Sequence, residues 1–439
     1  MKKNRVSIIT LGCSKNTVES ETVAGLFIKN GFEITDNLKE TDNIIIHTCS
    51  FIQDAQEESH NQINYAGELK EKNPDLKIFV SGCLSQLLQD KMMDKYPFID
   101  GYVGTGNYYG IVDLIKKKRF FANTSCAGGV QNFKTRVLSG TSSSTYIKIS
   151  EGCTHRCSYC IIPKLRGNLV SRTIKSVTDE AKALAAAGIR ELNIIAQETT
   201  SYGLDIYGEL SLAKLLRKLS EIKDLKWIRL LYAYPSTINK ELLDTIYENE
   251  NICNYIDIPI QHISKNVLKN MKRPLNTRKI IEYIKTKYPE IILRTSLITG
   301  FPGETGHDFN EMVSFVKENY FEHIGIFGYS DQELAPSYKM KNKISREVIE
   351  KRKEILAEEQ FKNILKNNSL KIGKTFEILP EYVYGNKIFA RAYFQAPEID
   401  TAVIINKKEN IRLGNFTKVT IKGYKNYDLY AERATQILS

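Results

Sequence analysis

A chain of 439 residues, 42% hydrophobic and 26% charged, has the composition of a soluble globular protein and the length of two or three domains. No run of about 18 apolar residues occurs, which excludes an ordinary membrane-spanning helix. Lys and Arg outnumber Asp and Glu, 62 to 51, and the surplus of eleven suits contact with nucleic acid or an assembly built around it, or simply a lysine-rich soluble surface.

Met1-Lys2-Lys3-Asn4-Arg5, then Val6 to Leu11 and Cys13, superficially imitates a lipoprotein signal. Its apolar stretch is shorter than the roughly 7–15 residues such a signal needs, so it reads as a first β-strand. A chain kept in the reducing cytoplasm uses cysteine for metal binding or catalysis rather than disulfides.

From residue 1 to about 137, strand-like runs alternate with helical patterns, which predicts a doubly wound parallel sheet. Val6–Leu11, Asn43–His47 and Lys77–Ser81 are its clearest strands. The small polar stretch Ser139–Ser144 reads as a linker. A second α/β pattern follows, with candidate strands Tyr146–Ser150, Glu191–Ala196, Lys226–Tyr232, Tyr255–Ile260, Ile291–Thr299 and Ile324–Tyr329. Six strands with helices between them predict an incomplete parallel (β/α)6 barrel. A charged helix over Ser345–Asn367 leads to a tail, Lys371–Glu432, of aromatic and β-branched runs broken by Gly, Pro and Asn. That tail suits a small antiparallel β-barrel. The domains are expected at 1–137, 138–368 and 369–439.

The densest chemical signal is Cys153-Thr154-His155-Arg156-Cys157-Ser158-Tyr159-Cys160. Three thiolates at this spacing can hold three corners of a cubane and leave one iron open, whereas a fully protein-ligated cluster takes four cysteines. An open coordination site is what chemistry requires. Zinc is the alternative, because His155 lies within the loop, yet no second Cys or His pair follows at finger or ribbon spacing. In the first domain Cys13, Cys49 and Cys83 each follow a predicted parallel strand, and the carboxyl ends of such strands share one edge. Isolated buried cysteines are the competing account. Cys126 and Cys253 share neither position nor spacing and read as structural or incidental.

The triple-cysteine loop after the first strand of a six-strand α/β region resembles the signature of the radical S-adenosylmethionine (SAM) superfamily. The resemblance implies that Cys153, Cys157 and Cys160 bind a 4Fe-4S cluster whose free iron chelates SAM and helps release a 5′-deoxyadenosyl radical. It also implies cofactor contacts from Tyr159, from Glu198 in Gln197-Glu198, and from Gly300, Gly303 and Glu304 in the turn ending the fifth strand. With the three-cysteine first domain and the terminal barrel (a TRAM module), the whole chain resembles the methylthiotransferases. These carry two 4Fe-4S clusters, the second here on Cys13, Cys49 and Cys83, and consume SAM as both methyl donor and radical source.

Within that family, Leu11-Gly12-Cys13-Ser14-Lys15-Asn16, Thr48-Cys49-Ser50-Phe51-Ile52, Gly82-Cys83-Leu84-Ser85-Gln86, Ile258–Ser264 and Ala392–Asp400 are similar to the branch that modifies an aspartate of small-subunit ribosomal protein twelve. Ser14 stands where that branch commonly has proline, and Glu198 where it commonly has aspartate. The implied partners are that ribosomal protein, free or within its subunit, and unidentified electron and sulfur donors. RNA contact through the basic surface is also expected. Arg166, shortly after the cluster loop, is either a cation for the substrate carboxylate or one half of a salt bridge. The net positive charge of the tail points instead to a tRNA adenosine substrate. A non-catalytic zinc-containing RNA-binding protein is the reading from a different class.

Overall fold

The computed structural model describes residues 4–107, 110–117, 122–123, 136–139, 143–409 and 411–434, and three main sheets follow one another along them. The first comprises β1 (Arg5–Thr10), β2 (Glu33–Ile34), β3 (Asn43–Thr48), β4 (Lys77–Gly82), β5 (Gly101–Val103) and β6 (Ala122–Asn123). These lie parallel in the order β2-β1-β3-β4-β5-β6. Every residue of β3 is buried, as expected of a central strand covered on both faces. The chain turns one way from β1 to β2 and the other way to β3, so a crevice opens beyond the carboxyl ends of β1 and β3.

The second sheet contains β7 (Ser144–Lys148), β10 (Glu191–Ile195), β11 (Trp227–Leu230), β12 (Ile252–Asp257), β13 (Ile292–Thr299) and β14 (His323–Gly328). Its order, β14-β13-β12-β11-β10-β7, is parallel throughout, an open six-strand barrel over a large aliphatic core. A short hairpin of β8 (Ser150–Glu151) and β9 (Val170–Ser171) clasps the cysteine loop. Strand β12 begins three residues before its expected start and ends before Pro259, which has no N–H for a ladder.

Strands β15 (Thr375–Tyr384), β16 (Lys387–Ala392), β17 (Val403–Asn406), β18 (Thr417–Lys425) and β19 (Asp428–Arg433) close the terminal barrel. It is not purely antiparallel, because β17 and β19 pair in parallel where the ring shuts. The segment Arg391–Asp400 docks on the second sheet through polar bonds. Arg391 and Arg229 grip Glu191, Tyr255 Oη donates to Asp400 at 2.6 Å, and His323 Nε2 lies 2.9 Å from the Phe394 carbonyl. Of these partners, Glu191 and His323 are the first residues of β10 and β14. The same segment carries Ala396, which shares a buried cluster with Val18, Tyr146 and Leu231 against which Tyr232 packs. Among the described residues no helix is long and apolar enough to cross a membrane.

Candidate active site

Each first-domain cysteine occupies the end of a strand. Cys13 precedes the helix Ser14–Lys29, Cys49 follows β3, and Cys83 opens the helix Cys83–Leu88 after β4. Gly12 has φ +91, and a Cβ there would stand 2.7 Å from Cys49 Sγ, so only glycine lets the two thiols approach. Burial pushes the Cys83 thiol up to about 12, Cys49 and Cys13 push the same way, and Arg166 pulls against them. Ser14 takes the first helical position, where proline's missing N–H would cost nothing.

The second triad lies on the loop between β8 and the helix Ile162–Arg166. Gly152, at φ +71, leaves no room for a Cβ against the Asn168 carbonyl, and Cys153 N donates to Gly167 O at 3.1 Å. Ser158 N donates to Met271 O at 3.0 Å, and Ser158 O accepts from Ser337 N at 2.8 Å. Burial pushes Cys153 up to about 11 and Cys160 up to about 12. Thiols raised in this way are poor free nucleophiles, and a bound metal cluster would supply the charge that deprotonates them.

The residues present fit iron–sulfur clusters at both triads. Ser14 Oγ and Ser50 Oγ, each adjacent in sequence to a triad cysteine, are buried without a hydrogen-bond partner among the described residues, as is Arg273 Nε beside Cys157. Such orphaned donors suit cluster sulfides, which accept hydrogen bonds. His155 does not join the thiols as a zinc ligand would. It stacks on Tyr234 with ring centroids 3.6 Å apart and faces Glu198 at 3.4 Å. Among the described residues no three His, Cys, Asp or Glu side chains converge on a single ion.

Tyr159 is half-buried and packs with Met271, Phe301 and Ile298, beside the turn at the end of β13. In that turn Gly303 has φ +84 and open space where a Cβ would point. Gly300, at φ +82, is required for a different reason, because a Cβ would overlap Ile349 of the helix Arg346–Ser369. Glu304 is turned inward. It accepts from Gly300 N at 2.7 Å, Phe301 N at 3.3 Å, Thr299 Oγ1 at 3.1 Å and Arg352 Nη1 at 2.7 Å, and burial pushes its carboxyl upward. It thus shapes the turn rather than presenting a free carboxylate. Glu198 is likewise engaged, accepting from Thr200 N at 2.5 Å and Ser201 N at 3.1 Å. Burial pushes this carboxyl up, but the bonds from His155, Ser201 and Thr200 outweigh it and leave the group below its ordinary value.

Arg166 joins the two triads. Its Nη1 donates to Glu19 at 2.5 Å and Glu151 at 3.1 Å, while Nη2 donates to Asn16 at 3.0 Å and Cys83 Sγ at 3.4 Å. Lys148 reaches Glu19 and Glu151 at 2.6 Å, and His47 Nε2 lies 2.9 Å from Glu19. With its donors spent on this buried network, Arg166 is no anchor for a substrate carboxylate. Sequence reasoning also missed Arg273, whose Nη1 donates to Cys157 Sγ at 3.8 Å, since nothing local links residues 116 apart. Cys253 is buried in β12 beside Arg229, far along the barrel from both triads, and Cys126 lies outside the described residues.

An open six-strand α/β barrel with a C-x3-C-x2-C loop beyond its first strand defines a radical SAM enzyme. Residues 5–104 match the domain described as uncharacterized protein family UPF0004, 147–316 the radical SAM superfamily, and 372–433 the TRAM domain. The ribosomal protein uS12 methylthiotransferase RimO of Endomicrobium trichonymphae is 48% identical over 429 residues, covering 97% of each chain. The protein of the same name from Caldanaerobacter subterraneus is 42% identical, covering 97% of this chain and 99% of its own. The chain belongs to this RimO family of radical SAM methylthiotransferases. In fold it is similar to the radical SAM methyltransferase TsrM of Kitasatospora setae, with a TM-score of 0.57 at 16% identity over 76% of this chain and 77% of that one.

Proposed function

We propose that this protein attaches a methylthio group to the β-carbon of an aspartate in ribosomal protein uS12. The observation that carries the reading is the placement of two cysteine triads at the carboxyl ends of two parallel sheets, joined through Arg166. Removing hydrogen from carbon and delivering sulfur are separate tasks, and two open metal sites divide them. In this reading Cys153, Cys157 and Cys160 hold the cluster that cleaves SAM, and Cys13, Cys49 and Cys83 hold a second 4Fe-4S cluster. Such clusters, when bound, supply an electron and open iron sites. Tyr159 and Gly303 take direct cofactor contacts, while Glu198, Gly300 and Glu304 set the surrounding backbone.

The relatives named for uS12 match along nearly the whole chain, which supports that substrate over tRNA. The eleven surplus positive charges suit work beside ribosomal RNA in the cytoplasm, where electron and sulfur donors must also be met. The test offers anaerobically reconstituted enzyme uS12 and, separately, unmodified tRNA. A gain of about 46 mass units on one aspartate is expected, the arithmetic of methylthio for hydrogen. Methylthioadenosine in the tRNA digest with uS12 unchanged would overturn the substrate.

A further inference from the structure

The junction between the triads is rich in buried charge, and nearly all of it is internally matched. Arg136 pairs with Glu21 and Glu180, Lys148 with Glu19 and Glu151, Arg166 with the same two carboxylates, and Arg172 with Glu180. Lys15 differs. The residue is only 8% exposed, and no carboxylate among the described residues lies within 4.0 Å of its ammonium. Among the described residues its close partner is the face of Tyr232, with Nζ 3.2 Å from the ring centroid. A ring face attracts a cation but accepts none of the directed bonds that three N–H donors seek.

The position of this pair is specific. Lys15 stands two residues after Cys13, on the first turn of the helix Ser14–Lys29. Tyr232 lies just beyond β11, at the edge of the barrel that carries the Cys153 loop. Its carbonyl accepts from Thr199 N at 3.0 Å, and the neighbouring Glu198 faces His155, which sits between Cys153 and Cys157. Lys15 and Tyr232 therefore bridge the space between one triad and the other. Tyr232 also adopts φ +61, a left-handed conformation that disfavours a bulky residue, and Asp257 accepts from its N–H at 3.1 Å to hold it there. Strain of this kind gathers where a ligand must be met.

We propose that Lys15 is the specificity-determining cation that seats the substrate aspartate's carboxylate, with Tyr232 as its platform. This rests on the reading that the substrate is an aspartate. A carboxylate bound to Lys15 by charge-assisted hydrogen bonds gives the ammonium the directed acceptors that a ring face does not. It also fixes the adjacent β-carbon between the radical source and the sulfur source, and a radical acts only at contact range. Asparagine, of the same shape but neutral, gains little from the same cation.

The experiment measures binding of uS12, and of uS12 with its target aspartate changed to asparagine, to reconstituted wild-type, Lys15→Met and Lys15→Arg enzymes. Iron content and methylthiolation are followed in parallel. Wild type is expected to bind the aspartate form at least tenfold more tightly than the asparagine form. Lys15→Met should lose that preference while keeping its iron, and Lys15→Arg should recover part of it. An undiminished preference in Lys15→Met would overturn the inference. So would selective loss of the iron held by Cys13, Cys49 and Cys83, because Lys15 would then serve the cluster's charge. Wild-type enzyme that binds and modifies no uS12 overturns the proposed function itself, a result separate from either of these.

Discussion

Arg166 Nη2 donates to Cys83 Sγ at 3.4 Å, so the helix that follows one cysteine triad reaches a sulfur of the other. The contact is buried, and the same guanidinium neutralises Glu19 and Glu151. Breaking a buried ion pair from one side leaves an uncompensated charge, at about 3–5 kcal/mol. Arg166→Gln should therefore lower stability by that amount in denaturant titration. Hydrogen bonds to cluster sulfurs favour the more negative reduced state. The Gln variant should thus give a lower reduction potential for the cluster proposed at Cys13, Cys49 and Cys83, read by electron paramagnetic resonance during a redox titration. An unchanged potential would remove Arg166 from any electronic role.

The division of the cysteines is open to a metal count. Two open sites predict about eight irons in the reconstituted protein and about four after either triad is changed to alanine. Cys253→Ser should keep the full count, since Cys253 lies in β12 beside Arg229 and away from both crevices. Loss of iron from Cys253→Ser would mean a misassigned ligand.

The docking of the terminal barrel has a predictable acid limit. Burial alone would raise the Glu191 carboxyl, but Arg391 and Arg229 overcome it and hold the group at about 2. A folded value below the unfolded one, near 4.3, means that this stabilisation is complete above about pH 5 and is lost as pH falls towards 2. Glu191→Gln should cost about 3 kcal/mol at neutral pH and flatten the stability curve across that acid window. Thermal melts between pH 2 and 7 would measure both effects, and parallel curves for the two proteins would refute the assignment.

The parts legible in the sequence were those fixed by local pattern. Cys13, Cys49 and Cys83 could be placed together because each ends a strand of one parallel sheet, and parallel strands end on a common edge. Cys153, Cys157 and Cys160 carry their arrangement in their spacing. What escaped was set by long-range contact. Nothing near Arg166 announces Glu19, 147 residues away, and nothing near Glu191 announces Arg391, 200 residues away. Lys15 lies inside the Leu11–Asn16 motif, yet its burial against Tyr232 depends on how two sheets meet. Glu304 misled because its carboxylate lies in a turn of the expected sequence but folds back on that turn's own N–H groups.

Two glycines of one turn should separate packing from cofactor contact. Gly300 and Gly303 have nearly the same positive φ, +82 and +84, so alanine pays a similar backbone penalty at either, about 1–2 kcal/mol. At Gly300 the added methyl also overlaps Ile349, whereas at Gly303 it meets nothing within 4 Å. Gly300→Ala should therefore be the less stable protein by a further 1–3 kcal/mol or so, the usual cost of overpacking. Pairing it with Ile349→Ala should recover part of that increment. Gly303→Ala should fold with only the backbone cost but bind SAM more weakly, because the methyl projects into the space assigned to the cofactor. Equilibrium binding of SAM to both reconstituted variants, alongside denaturant melts, decides the matter. Gly303→Ala with undiminished SAM affinity would show that this turn frames the site without touching the cofactor.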